Sequence, residues 1–103
     1  ATNTAKAWVN FDGSGVTNNA SFNVSSITDN SEGNFTVNFT NSIGTYPVVC
    51  GTAGLSGSSS APTSIRPYSV SSSAVSFTSC YASSGGSVGL YDYNPISIAV
   101  FSS

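Results

Sequence analysis

The residues of this chain best suited to contact chemistry are Tyr91-Asp92-Tyr93-Asn94, where two aromatics alternate with an acid and an amide. A tyrosine ring can stack on the apolar face of a sugar or anchor a protein contact, while a carboxylate and an amide supply directional hydrogen bonds. The competing reading is ordinary strand-end tyrosines that face solvent or pack on a neighbour; Tyr68 and Tyr81 are read as structural. Catalytic sets are hard to assemble from what remains. The chain has no histidine, so its many serines lack an imidazole to activate them, and no nucleophile elbow is present. Asp29 and Glu32 share a turn-forming stretch and are read as solvating it rather than as a glycosidase pair. The chain is therefore expected not to be an enzyme and to need no cofactor.

Metal and redox sites are not expected either. Asp12-Gly13-Ser14-Gly15 lacks the repeated acids of a calcium loop. Cys50 and Cys80 have no CxxC or histidine partner. They are one possible disulfide or two separate thiols; alternation sets Cys50 beside Val48 and Tyr46 but Cys80 beside Thr78 and Ser76, on faces of different character. The N-x-S/T sequons at Asn19, Asn23, Asn34 and Asn38 are the coincidence expected of a chain this rich in Asn, Ser and Thr.

The elements that must position these residues are strands. At 103 residues the chain is expected to form one domain, spanning 1–103, around one core. Only 6% of its residues are charged, against about 25% in ordinary soluble domains. Lys6 and Arg66 are its only cations and the net charge is −2, too few positive groups to neutralise several phosphates, so nucleic acid is not expected as a partner. No apolar run approaches the roughly 20 residues of a membrane helix, and membrane insertion is not expected. The opening on Ala1 rather than methionine suggests a fragment or a processed product.

The clearest pattern lies in residues 20–40. Phe22 and Val24, then Phe35, Val37 and Phe39, alternate with polar residues about the turn formers at 28–33. Folding the chain between Asn30 and Ser31 sets Phe22 opposite Phe39, Val24 opposite Val37 and Ser26 opposite Phe35, a register that keeps the apolar side chains on one face. Further strands are expected at 5–11, 46–53, 64–70, 74–82, 88–93 and 96–101, with connections at 12–19, 41–45, 54–62, 71–73 and 83–87. The sum is an all-β fold of about eight strands, an antiparallel sandwich or small barrel. In the first strand Ala7, Val9 and Phe11 share the core face, which leaves Trp8 with Lys6 and Asn10 on the face that ought to be polar. Either Trp8 folds over a sheet edge, or that face is buried against a neighbouring subunit.

The segments Lys6-Ala7-Trp8-Val9-Asn10-Phe11 and Ser21 through Thr40 (SFNVSSITDNSEGNFTVNFT) resemble, nearly residue for residue, the C-terminal tip domain of bacteriophage tail fibres, and Ile98-Ala99-Val100-Phe101 resembles that family's final strand. The resemblance is specific over about the first 40 residues and fades from Tyr46 to Asn94. It implies an antiparallel β-sandwich that is homotrimeric, forms the C-terminal part of a longer fibre chain, and binds a host-cell surface receptor, a bacterial surface glycan or an outer-membrane receptor. It also implies assembly in the host cytoplasm, a virion location at the fibre tip, and a trimer interface that covers Trp8, Lys6 and Asn10. A reducing site of assembly disfavours a Cys50–Cys80 bridge.

If the shaft joins at Ala1, eight alternating strands place the connections at 12–19, 41–45, 71–73 and 92–95 at the far end. Those at 28–33, 54–62 and 83–87 then face the shaft. The expected receptor contacts are Asp12, Asn18, Asn19, Tyr91, Asp92, Tyr93 and Asn94. Two other functions fit the same residues: a structural module that trimerises or caps a virion fibre, and a free-standing carbohydrate-binding module.

Overall fold

The computed structural model describes residues 4–54, 63–82 and 88–102. The chain is all-β, with two antiparallel sheets packed face to face. The first sheet holds β1 (Ala7–Asp12), β2 (Thr17–Phe22), β9 (Ile96–Phe101) and β5 (Val48–Ala53), in the order β2-β1-β9-β5. The second runs β3-β4-β7-β6, from β3 (Val24–Ser31), β4 (Asn34–Phe39), β7 (Ala74–Ala82) and β6 (Thr63–Val70); the short β8 (Val88–Leu90) also pairs with β7.

Alternation decides what lies between the sheets. Ala7, Val9 and Phe11 of β1 meet Phe35, Val37 and Phe39 of β4, Val75 and Phe77 of β7, and Ile96, Ile98 and Val100 of β9, all buried in one cluster. Phe11 crosses from one sheet to the other, edge-on to Phe35 with ring centroids 5.2 Å apart. Its ring also meets Phe77 at 6.3 Å. Edge-to-face geometry of this kind adds about 0.5–1.5 kcal/mol per pair to the burial itself.

The expected hairpin is replaced by a different arrangement of the same residues. The chain does not run straight from Phe22 into Val24: Asn23 adopts a left-handed φ of 59°, which turns the backbone out of one sheet and into the other. The Asn23 amide holds this corner, its Nδ2 donating to Lys6 O at 3.1 Å and Asn41 O at 3.0 Å, and its Oδ1 accepting from Asn41 N at 2.8 Å. Asn tolerates this conformation because its short polar side chain can bond locally. Phe22 therefore lies opposite Trp8, not Phe39. In β3 and β4 Val24 faces Phe39, Ile27 faces Val37 and Asp29 faces Phe35. The turn is Glu32-Gly33, with Gly33 at φ 69°, so most of the stretch expected to turn is the end of β3. Among the described residues the strand count is nine, not eight, because the expected 12–19 loop shrinks to 13–16 and the run from Thr17 to Ser31 breaks at Asn23 into β2 and β3.

The extra strand changes which connections share an end. Gly13 N donates to Tyr93 O at 2.8 Å, and Ser79 N donates to Gly33 O at 2.8 Å. The 13–16, 32–33 and 91–95 connections thus gather at one end. Ala53 pairs with Ile96, Thr63 with Tyr81 and Ala82 with Val88, so the strand ends flanking 55–62 and 83–87 lie at that end too. At the opposite end Ile43 N donates to Ser72 O at 3.0 Å, beside the Asn23 corner. The expected placement of 28–33 apart from 12–19, and of 41–45 and 71–73 with it, is therefore overturned; the expected 54–62 and 83–87 connections fall almost wholly outside the described residues. The crossover at 91–95 keeps its place because β8 and β9 both run away from that end, a second departure from simple alternation.

Candidate functional site

The crossover end is built from backbone hydrogen bonds between the two sheets. Asp92 Oδ1 accepts the backbone N–H of Gly33 at 2.6 Å. Ser79, buried in β7, donates its hydroxyl to Tyr91 O at 2.6 Å, while Tyr91 N donates to Ser79 O at 3.2 Å. These bonds fix the path of 91–93 and so decide where its side chains point. Tyr91 is 39% exposed, whereas Tyr93 is 1% exposed; the two rings pack edge-on with centroids 4.8 Å apart. Burial, followed by the neighbouring ionisable Tyr81, Tyr91 and Cys80, holds the Tyr93 hydroxyl above its ordinary pKa.

This corrects one expected contact. Tyr93 is a core residue, and no receptor can stack on it without unfolding the crossover. Tyr91 and Asn94 remain exposed and Asp92 half-buried. Asp12 joins them at the same end, half-buried, its Oδ1 accepting from Ser14 N at 2.9 Å and Ser14 Oγ at 2.7 Å. Those bonds to Ser14 lower its carboxyl pKa below the ordinary value. Asn18 and Asn19 are exposed on the edge strand β2 rather than in an end loop; Asn18 Nδ2 donates to Ser21 Oγ at 2.9 Å and Asn19 Nδ2 to Asn10 Oδ1 at 3.0 Å. The four carboxylates of Asp12, Asp29, Glu32 and Asp92 all belong to strand ends or connections at the crossover end.

The second feature is the outer face of the first sheet. Trp8 lies opposite Phe22 on one side and Ala99 on the other, and Ala99 lies opposite Cys50. This makes an apolar row across all four strands. A neighbouring pair, Val48 opposite Phe101, continues it towards half-buried Lys6. Trp8 is 41%, Phe22 53% and Val48 58% exposed. A third row, Ala20-Asn10-Ser97-Thr52, is mostly polar, with Asn10 Nδ2 donating to Ser97 Oγ at 3.0 Å. Between these rows runs an open groove of about 370 Å³, lined by Trp8, Asn10, Cys50, Thr52, Ser97 and Ala99.

Trp8, Lys6 and Asn10 were legible as neighbours on this side, but Phe22 and Val48 were not. Its alternation with Val24 points Phe22 to the core, but Phe22 pairs with Trp8 on β1 instead of Phe39. No period in β5 marks Val48 as the outward residue, since Val48, Val49 and Cys50 are all apolar.

The two thiols are free and belong to different sheets. Cys50 is exposed on the outer face of β5, and Cys80 is buried in β7 with Ser64 Oγ 3.2 Å from its sulfur. Among the described residues no three His, Cys, Asp or Glu side chains come close enough to share a metal ion. Comparison with protein-family models, with curated proteins and with solved structures finds no match.

Proposed function

We propose that this chain is the non-enzymatic tip domain of a bacteriophage tail fibre, which trimerises and binds a glycan or outer-membrane receptor on the host cell. The observation that carries this reading is the contrast between the two outer faces. Across β3, β4 and β7 the outside of the second sheet is a ladder of Asn, Thr and Ser side chains bonded to one another, such as Asn30 to Asn34 and Thr36, and Thr36 to Ser76, with Arg66 and Tyr68 beside it on β6. The outside of the first is the Trp8-Phe22-Val48 patch. A Trp and a Phe set directly opposite one another and half in water cost free energy that burial against another copy would recover. Aromatic residues are the side chains most enriched at such interfaces.

In this reading copies meet through the first sheet, with Trp8 central and Asn10 and Lys6 at its margin. The crossover end, with Asp12, Tyr91, Asp92 and Asn94, is left for the receptor. Sedimentation of the purified chain and of Trp8→Ser tests it: a trimer that becomes a folded monomer in the variant supports the reading, and a wild-type monomer overturns it. Adsorption blocking then separates a tip from a cap, because a cap does not compete with phage for cells.

The groove beside Trp8 favours a second reading, a free-standing carbohydrate-binding module. An indole flanked by amide and hydroxyl groups is suited to a pyranose ring. That reading requires a monomer whose sugar binding is lost in Trp8→Ser.

A further inference from the structure

On the outer face of the second sheet, the structure assigns a binding site for an acidic sugar, with Arg66 taking its carboxylate and Tyr68 its ring. This site lies on the opposite side of the molecule from the Trp8 patch and does not depend on how that patch is used.

Three observations converge on it. The first is electrostatic. Arg66 is exposed on β6, opposite Thr78 of β7. Its neighbour Ile65 packs on the core, so the Arg66 side chain projects from the outer face. No acidic residue occurs anywhere on β6 or β7, because all four carboxylates belong to β1, β3 and the 32–33 and 91–95 connections. Among the described residues no carboxylate on β6 or β7 stands beside the guanidinium, whose planar fork matches a carboxylate.

The second observation is the bulge at Tyr68, where the register between β6 and β7 shifts between Pro67 and Ser69. The bulge throws the Tyr68 ring across β7 until its hydroxyl reaches Asn34 Oδ1 of β4 at 2.7 Å. A bulge re-aims a side chain in this way. The ring is held at its tip yet remains 48% exposed, which leaves an exposed aromatic ring over a polar sheet next to Arg66.

The third is the state of Asn34. Its Oδ1 accepts from both Tyr68 and Asn30, which fixes the orientation of the amide, and no hydrogen bond occupies its Nδ2 among the described residues. Arg66, the Asn34 amide and the Thr78 hydroxyl thus offer donors around one exposed ring. Donors surrounding a stacking platform suit a pyranose that bears a carboxylate. A polyanion such as nucleic acid needs several cations, and only one is present here.

The site is tested by titrating isotope-labelled chain with N-acetylneuraminic acid, galacturonic acid and galactose, and following the Arg66 Nε–H, Asn34 Nδ2 and Thr78 signals by NMR. The expected result is saturable perturbation of these signals by one or both acids, with a Kd on the order of 1 mM. The comparison of the two acids tells a sialic-type from a uronic-type ligand. Galactose is expected to bind at least about tenfold more weakly, and Arg66→Gln and Tyr68→Ala each to weaken the acid by about tenfold, whereas Arg66→Lys retains part of the binding. Both positions are exposed, so the variants should keep the spectrum of the folded chain elsewhere. The assignment is overturned by equal binding of galactose and the acids, by unchanged affinity in Arg66→Gln, or by no response up to about 50 mM. Methyl phosphate binding as tightly as the acids also overturns it, since the contact would then be with any anion.

Discussion

The carboxylate of Asp92 and the backbone N–H of Gly33 meet at 2.6 Å, joining the β3–β4 turn to the segment that crosses between the sheets. A turn amide facing a neighbouring loop has no strand partner of its own, and a half-buried donor left unmatched is costly. Asp92→Ala is expected to destabilise the fold by about 1–3 kcal/mol, a fall in Tm of roughly 4–8 °C per kcal/mol for a domain of this size. Asp92→Asn keeps an acceptor oxygen in place and should lose less than half as much. Thermal melts of the two variants decide it; equal losses would show that the negative charge matters more than the hydrogen bond.

Gly33 also tests the turn from the other side. Its φ of 69° suits glycine, and a Cβ there would stand 2.7 Å from Leu90 Cβ and 2.7 Å from Tyr91 N. Gly33→Ala therefore combines an unfavourable backbone with a clash against the crossover segment. An expected loss of about 2–4 kcal/mol follows, measured by urea denaturation followed through Trp8 fluorescence. A loss below about 0.5 kcal/mol, the range of an ordinary surface change, would mean that the turn is not pressed against β8 as described.

Asn23 carries the switch between sheets, and its backbone and side-chain contributions can be separated. Asn23→Gly keeps the left-handed φ and loses only the three amide hydrogen bonds; Asn23→Ala loses both. Each bond contributes about 0.5–1.5 kcal/mol, and a non-glycine, non-Asn residue in this conformation costs about 1–2 kcal/mol more. Alanine should thus be the less stable variant by about 1 kcal/mol or more. If glycine proves no better than alanine, the corner is held by its side chain alone.

That corner also explains what the sequence concealed. Phe22 and Val24 are both apolar, two residues apart, and read as one face of one strand. A single left-handed residue between them sends Phe22 to the outside of one sheet and Val24 towards the core between the two. Asn suits a strand as well as a corner, so no period reveals the break. The register of β3 with β4 was hidden for a related reason. Thr28-Asp29-Asn30-Ser31 has the composition of a turn, but on an exposed edge strand nothing requires apolar residues, and Asn30 bonds across to Asn34 and Thr36. The core positions of β1, β4, β7 and β9 were legible because each strand alternates over five or more residues with only one face buried. In the candidate site the same alternation set Trp8 outward correctly. It failed at Tyr93, which lies past the end of β8 in irregular backbone, where Ser79 and Gly13 rather than a pleat fix the side chain.

The burial of Tyr93 should be visible at alkaline pH. Its pKa is raised above the ordinary 10.0 in the folded chain, so the unfolded chain loses this proton first as pH rises. Below about pH 10 both states keep the proton and the contribution is constant; above it the unfolded state is increasingly favoured, and this part of the stability is lost as pH rises towards the folded-state value. Tyr93→Phe keeps the ring and removes the titration. Urea midpoints recorded from about pH 8 to pH 11 should fall more steeply for the wild type than for Tyr93→Phe, while the absorbance of tyrosinate should show one fewer late-ionising group in the variant. Parallel midpoint curves would mean that the Tyr93 hydroxyl reaches water in the folded protein, and Tyr93 would then rejoin Tyr91 as a candidate receptor contact.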